Sequence, residues 1–134
     1  MKLPTSGLVT LRNNKLLLAY SKNKKAWYLP GGKMDKGETA VEALVREVEE
    51  ELSLTLNAEG LKHLLHVTAH AYGEPIDVIM EQDCFLYDLQ EEIHASHEIG
   101  AVEYFSFEDY LLEPVQVVGV IEVFNFLKSN NYLK

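Results

Sequence analysis

The sequence predicts an α/β fold (α+β in some schemes) in which a mixed β-sheet lies between helices. Short apolar segments typical of β-strands occur in both halves of the chain. Between them, residues 39–54 carry apolar side chains at helical spacing. A second apolar segment of helical length closes the chain. Strands, a helix, more strands and a last helix are the pattern expected of a sheet with helices packed on its faces.

The first half of the chain is predicted to form three strands. "GLVTL" and "KLLLAYS" flank "RNN", which is typical of a hairpin turn. "AWYL" is a short third strand, which we expect to stop at Pro30-Gly31-Gly32. The polar segment "KMDKGE" that follows is predicted to be a loop.

A helix is predicted after this loop. Thr39 and Glu42 have the spacing of a capping box, in which each side chain bonds to the other residue's backbone N–H. On the helical wheel, Glu47, Glu50 and Glu51 lie about 120° from the apolar stripe and therefore share one face. That stripe consists of Val41, Leu44, Val45, Val48 and Leu52.

The second half is predicted to contain two long strands, "LKHLLHVTAHAY" and "VIMEQDCFLYDL", joined through "YGEPID". A polar loop, "QEEIHASHEIG", leads to a last strand, "VEYFSF". "EDYLL" begins a short helix or turn, and "PVQVVGVIEVFNFLKSNNYL" is the closing helix. Strand alternation places His66 and His70 on one face and His63 on the other, and this separation disfavours a zinc site.

Size and composition narrow the classes of function. A chain of 134 residues with 47% apolar residues fits a single domain over residues 1–134 and disfavours disorder. A net charge of −9 argues against a nucleic acid polymer as partner, although a metal ion could still recruit a small phosphorylated ligand. The lone Cys84 allows no internal disulfide, and no membrane span or signal peptide is recognisable. We therefore expect a cytoplasmic protein without a membrane partner, and a homodimer is left open.

The stretch "REVEEEL", residues 46–52, concentrates negative charge where a helix tolerates it least. Glu47 faces Glu50 and Glu51 at spacings where like charges destabilise a helix by about 0.2–0.5 kcal/mol per pair. A hard divalent cation such as Mg²⁺ takes oxygen ligands and would offset this repulsion. The alternative is a solvated acidic face, which is the commoner explanation of such a run taken alone. Glu49 turns away from the other three and is interpreted as plain surface.

The surroundings of these acids resemble a known signature. From Gly32 to Leu54 the chain reads "GKMDKGETAVEALVREVEEELSL", with Glu38 five residues after the glycine and the pairs Arg46-Glu47 and Glu50-Glu51 further on. These 23 residues resemble the Nudix box of MutT-type pyrophosphohydrolases, and the resemblance implies the family's α/β/α sandwich. One position departs, because Ser53 stands where the family usually has glycine. Since positive φ is common at a helix end, we expect an altered turn in an active enzyme.

The resemblance also implies a reaction and a set of site residues. Nudix enzymes use water and Mg²⁺ or Mn²⁺ to hydrolyse a nucleoside diphosphate linked to a further group X. The family's metal ligands correspond to the backbone carbonyl of Gly31 and to the carboxylates of Glu47, Glu50 and Glu51. Glu38 is expected to support the loop and the helix. The candidate catalytic residues are Glu50, Glu51, Glu98 and Arg46, with Arg46 expected as a brace.

The general base and the substrate remain open at this point. Glu98, in the loop before the last strand, corresponds to an additional glutamate of MutT-like members, but it could equally be a solvent-exposed loop residue. Glu50 and Glu51 are rival bases. Candidate substrate contacts are Lys22, Lys24 and Lys33, against the alternative of an ordinary solvated turn. The resemblance leaves several substrates possible, namely nucleoside triphosphates, dinucleoside polyphosphates and ADP-ribose-like molecules, and it also permits a nucleotide sensor with little catalysis.

Overall fold

The computed structural model describes residues 1–134 and contains eight strands and three helices, with one short 3-10 turn at Ala58–Gly60. The strands are β1 (Lys2–Val9), β2 (Leu11–Arg12), β3 (Lys15–Ser21), β4 (Ala26–Tyr28), β5 (Gly31–Lys33), β6 (Lys62–His70), β7 (Ile79–Leu86) and β8 (Ile99–Phe105). The helices are α1 (Ala40–Leu52), α2 (Phe107–Tyr110) and α3 (Val118–Ser129).

The predicted fold class is confirmed, but the strands form two sheets. One has the order β5-β1-β7-β6, with β1 parallel to β7 and the other pairs antiparallel. The other joins β2, β3 and β4, and β8 pairs antiparallel with β3. "GLVTL", predicted as one strand, is divided at Thr10. The hydroxyl of Thr10 donates to the carbonyl of Tyr87 at 2.8 Å, which allows this buried residue to sit between the two sheets.

The helices cover the sheets from opposite sides. The predicted stripe of α1 buries Leu44, Val48 and Leu52 in a core with Leu8 and Phe85. The other two predicted stripe residues are partly buried and pack at the margin of that core. A second core contains the apolar face of α3, which begins at Val118 and not at the proline where the closing helix was predicted to begin. None of the helices has the length and apolar character needed to cross a membrane.

Turns follow the sequence signals in two places. Asn13 and Asn14, in the predicted hairpin turn between β2 and β3, have φ values of 52° and 63°. Two successive residues at positive φ match the twist of a two-residue hairpin, and asparagine tolerates this conformation. Ser53, at the end of α1, has φ 54° and donates its N–H to the carbonyl of Glu49. The serine therefore adopts the left-handed conformation in which glycine is common.

Two predictions about the strands were wrong. β4 ends at Tyr28, before the predicted stop at Pro30-Gly31-Gly32. Gly31–Lys33 then forms an unpredicted strand, β5, which pairs with β1 and includes the first residue of the predicted loop. The turn residues separate β4, in the sheet with β3, from β5, in the sheet with β1. His63 was placed on the opposite face from His66, yet both side chains bond to Asp83 at 2.9 Å. A register shift between His63 and Leu65 interrupts the strand alternation and brings the two rings to one face.

Candidate active site

The acidic face of α1 is held in place by an arginine. Arg46 donates two hydrogen bonds to Glu38, from Nε at 2.8 Å and from Nη2 at 2.9 Å. Its Nη1 lies 2.6 Å from Glu47 Oε1, and Nη2 also reaches the carbonyl of Lys33 at 3.0 Å. Hydrogen bonding to Arg46 lowers the pKa of Glu38 to about 2. One guanidinium thus ties the loop before α1, the strand β5 and the helix together.

Glu51 connects the same helix to β5 at a second point. Its Oε1 accepts a hydrogen bond of 2.9 Å from the backbone N–H of Gly31. Burial, together with the nearby carboxylates of Glu47, Glu98 and Glu50, raises the pKa of Glu51 to about 8, although the hydrogen bond from Gly31 lowers it. Burial also raises the pKa of Glu47. Two carboxyl groups of this face therefore lie where their charged forms are poorly stabilised.

A cavity of about 560 Å³ brings most of the predicted residues together. Its acidic end is lined by Gly31, Glu47, Glu50, Glu51 and Glu98. The predicted lysines Lys24 and Lys33 also line it, whereas Lys22 is exposed and does not. The remaining wall combines apolar and polar side chains that include Leu3, Thr5, Tyr28, Tyr72, Met80 and Gln82.

The lysines differ in their contacts. Nζ of Lys24 forms an ion pair of 2.8 Å with Glu74, at the rim of the cavity. Lys33 contributes its carbonyl to Arg46. Lys22 is connected to the site only through its main chain, since its N–H donates to the carbonyl of Glu98 at 2.9 Å. A contact between the Lys22 side chain and a substrate is therefore less well supported than one from Lys24.

The carboxylates fit a divalent cation by their chemistry, although they are not gathered as a ligand set. No three His, Cys, Asp or Glu side chains are arranged so that they could hold a metal ion. Glu47 is occupied by Arg46, and the side chain of Glu50 is 53% exposed. Oxygen donors are nevertheless what Mg²⁺ and Mn²⁺ prefer, and the buried Glu51 carboxyl lacks any cationic partner within the protein.

Several residues of the site were missed by the sequence analysis. Asn23 stands between the candidate lysines, and its Nδ2 donates to Glu98 Oε2 at 2.8 Å. The hydroxyls of Thr5 and Tyr28 are buried without hydrogen-bond partners, and both residues line the cavity. An asparagine in a lysine-rich turn and a threonine in a strand have ordinary surroundings in the sequence, so only the folded arrangement reveals them.

Comparison with known proteins decides the family. The profile of the NUDIX domain matches residues 1–122. The chain belongs to the Nudix family. The match extends well beyond the box itself and includes the strands on both sides of it.

Nudix relatives with assigned activities match parts of the chain. The ADP-ribose pyrophosphatase of Methanocaldococcus jannaschii is 33% identical over 97 residues, which are 70% of this chain and 56% of the relative. An 8-oxo-dGDP phosphatase of Homo sapiens is 58% identical over 36 residues, which are 27% of this chain and 11% of that protein. The chain thus spans about half of the archaeal relative and a small part of the human one.

Solved Nudix structures share the whole fold. The MutT protein of Methanosarcina mazei Go1 superposes with a TM-score of 0.77 at 20% identity, over 96% of this chain and 95% of that one. A bifunctional NMN adenylyltransferase/ADP ribose pyrophosphatase of Francisella tularensis, solved with AMP and a Mn ion, gives a TM-score of 0.71 at 20% identity. That superposition covers 96% of this chain and 42% of the Francisella protein.

The raised pKa of Glu51 predicts how stability depends on pH. Without divalent cations, the free energy of unfolding of this Nudix chain should fall as pH rises from about 4.5 to about 8. In this window the folded state keeps a proton on Glu51 that the unfolded state has released. The loss is at most about 1.4 kcal/mol per pH unit. Urea unfolding at a series of pH values between about 4.5 and 8, in the presence of EDTA, measures this decrease in the free energy of unfolding.

A variant isolates the contribution of Glu51. The stability contributed by His66 changes with pH in the same direction. Hydrogen bonds to Asp83 and Glu81 raise the pKa of His66, and the imidazolium loses its charge, and with it the ionic attraction to these carboxylates, as pH rises. Glu51→Gln replaces the titratable carboxyl by an amide and leaves His66 unchanged. The free energy of unfolding of this variant should therefore fall less steeply with pH than that of the wild type. Identical slopes for the two proteins would contradict the assigned pKa.

Proposed function

We propose that this chain is a divalent-metal-dependent hydrolase that cleaves the phosphoanhydride bond of a nucleoside diphosphate linked to X. The observation that carries the proposal is Glu51, a buried carboxyl that accepts a hydrogen bond from the backbone of Gly31 and lies in one cavity with Glu47 and Glu50. Five glutamate carboxylates line this cavity, and a divalent cation would offset their mutual repulsion. Membership of the Nudix family supports the same conclusion.

The proposed cofactor is Mg²⁺, with Mn²⁺ as a substitute. The residues that would hold it are the carbonyl of Gly31 and the carboxylates of Glu47, Glu50 and Glu51. When bound, the metal would neutralise negative charge on the diphosphate and lower the pKa of a coordinated water. The Mn ion in the Francisella relative agrees with this choice of metal.

The remaining polar residues have roles that follow from their positions. Glu98 lines the cavity on the side of Glu51 and is our first candidate for the base that removes a proton from the attacking water. Lys24 is suited to a phosphate, since its ammonium group lies at the rim and is paired only with the partly exposed Glu74. Arg46 serves as a brace, because its donors are already directed at Glu38, Glu47 and Lys33.

The non-acidic wall of the cavity is suited to the nucleoside. Leu3, Met80 and Tyr72 provide apolar surface for a planar base. Thr5 and Tyr28 bring buried hydroxyls that have no partner within the protein. A ligand that donates or accepts hydrogen bonds there would remove the cost of these unsatisfied groups. The relatives make ADP-ribose and oxidised guanine nucleotides the first substrates to test.

A substrate screen tests the proposal. The wild type is incubated with ADP-ribose, 8-oxo-dGDP, nucleoside triphosphates and a dinucleoside polyphosphate, each with Mg²⁺, Mn²⁺ or EDTA, and products are separated by chromatography. We expect metal-dependent release of a nucleoside monophosphate or of phosphate from at least one compound. Absence of turnover in every mixture would overturn the proposal. Thermal stabilisation by a nucleotide without turnover would instead favour a sensor.

A further inference from the structure

The C-terminal end of α1 is capped by a distant loop. The last four carbonyl groups of a helix have no partner within it and must find one elsewhere. The carbonyl of Glu49 accepts from Ser53, and that of Leu52 accepts from the N–H of His94 at 3.0 Å. The carbonyl of Glu51 accepts from the N–H of Ser96 at 2.9 Å. The loop between β7 and β8 therefore lies directly against the turn of the helix that carries the proposed metal ligands.

The fourth carbonyl, that of Glu50, is bonded by two side chains of the same loop. His97 Nδ1 lies 2.8 Å from it, and the hydroxyl of Ser96 donates to it as well. Since a carbonyl only accepts, Nδ1 must carry the hydrogen. His97 itself has φ 56°, in the left-handed region where asparagine, aspartate and histidine are the commonest residues after glycine. This left-handed backbone and the side-chain bond to α1 both occur at the residue immediately before Glu98.

Glu98 is consequently fixed from two sides. On one side its neighbour His97 is bound to α1. On the other, Asn23 Nδ2 donates to Glu98 Oε2 at 2.8 Å, and the N–H of Lys22 donates to the Glu98 carbonyl. Glu98 is nevertheless exposed, so apolar packing does not hold it. Its position relative to Glu50 and Glu51 depends on these few hydrogen bonds.

We propose that His97 is a positioning residue, whose bond from Nδ1 to the Glu50 carbonyl sets the distance between Glu98 and the carboxylates of α1. This inference rests on the proposed function, because it concerns how the base of that reaction is placed. A displacement of about 1 Å between reacting groups can lower a rate about 100-fold. A bond that joins the two carboxylate-bearing segments therefore affects turnover more than it affects substrate binding.

Two substitutions of His97 distinguish the bond from the bulk of the ring. In His97→Asn the amide nitrogen can occupy the place of Nδ1, and asparagine tolerates positive φ. In His97→Gln the amide lies one carbon further out, near the place of Nε2, and cannot make the same bond. We expect His97→Gln to lower kcat by about tenfold or more with KM changed less than about twofold, and His97→Asn to keep kcat within about threefold of the wild type.

Controls separate this effect from unfolding and from failure of the proposed function. His94→Gln makes the same change in the same loop, at a side chain whose nearest ionic partner is Glu92 at 3.7 Å, and should leave kcat unchanged. Ser96→Ala removes the second donor to Glu50 and should lower kcat less than His97→Gln. Thermal melting of each variant shows whether it is folded at the assay temperature.

The outcomes are distinct. An inactive wild type would refute the proposed function. An active wild type with equally active His97→Gln would refute the positioning role. Equal losses in His97→Asn and His97→Gln, or a rise in KM without a change in kcat, would also refute it.

Discussion

Glu51→Gln should lower kcat by about 1000-fold or more while the protein remains folded. The amide oxygen can still accept the hydrogen bond from Gly31, so the connection between α1 and β5 is retained. The charge that would bind the cation is lost. Because burial already raises the pKa of Glu51 to about 8, a neutral side chain is well tolerated there without metal. Steady-state kinetics over a range of Mg²⁺ concentrations measure the effect.

Glu49→Gln is the matched control for this experiment. Glu49 is on the same helix, two residues away, but it is exposed and contacts Thr55 outside the cavity. Its variant should keep the activity and the Mg²⁺ dependence of the wild type. Circular dichroism and thermal melting of both variants test whether the fold is intact. Near-normal activity of Glu51→Gln at saturating Mg²⁺ would refute the role of Glu51 as a metal ligand.

The sequence predicted the local parts of this molecule well, because the decisive signals are short in range. The capping box at Thr39 and the two-asparagine turn at Asn13 each depend on residues a few positions apart. The amphipathic face of α1 depends on a regular spacing along one helix, and three of its four buried residues, Leu44, Val48 and Leu52, belong to the predicted stripe. Glu47, Glu50 and Glu51 therefore line one cavity, as their positions on the helical wheel suggested.

What the sequence could not predict depends on contacts between distant segments. Gly31–Lys33 forms the strand β5 only because it pairs with β1, about 25 residues earlier in the chain. The interrupted alternation at His63 arises from a register shift that no single strand specifies. The bonds of Asn23 and His97 likewise join loops to a helix and to a glutamate far along the sequence. Side chains of this kind become recognisable as site residues only when their partners are known.

Gly31→Ala should destabilise the protein by about 3 kcal/mol or more and abolish activity. Gly31 has φ 134°, and a Cβ atom there would overlap the backbone carbonyl of Ser6. The obstacle is main chain in the paired strand β1, so it cannot rotate out of the way. Any shift of β5 would also break the bond between Gly31 and Glu51 and displace the carbonyl proposed as a metal ligand. Thermal melting should show a decrease in Tm of roughly 10 °C or more.

Alanine substitutions of two neighbouring glycines distinguish backbone strain from steric overlap as the cause of the loss in Gly31→Ala. Gly37 has φ 87° but open space around it, so Gly37→Ala should cost only the backbone strain, about 1–2 kcal/mol, and keep activity in folded protein. A Cβ at Gly32 would meet the carboxylate of Glu47, which is a side chain and can move. Gly32→Ala should therefore change Tm little but weaken activation by Mg²⁺. If all three variants lost stability and activity in proportion, the glycines would be acting through the fold alone, and the close approach of β5 to the carboxylates would have no separate role in metal binding.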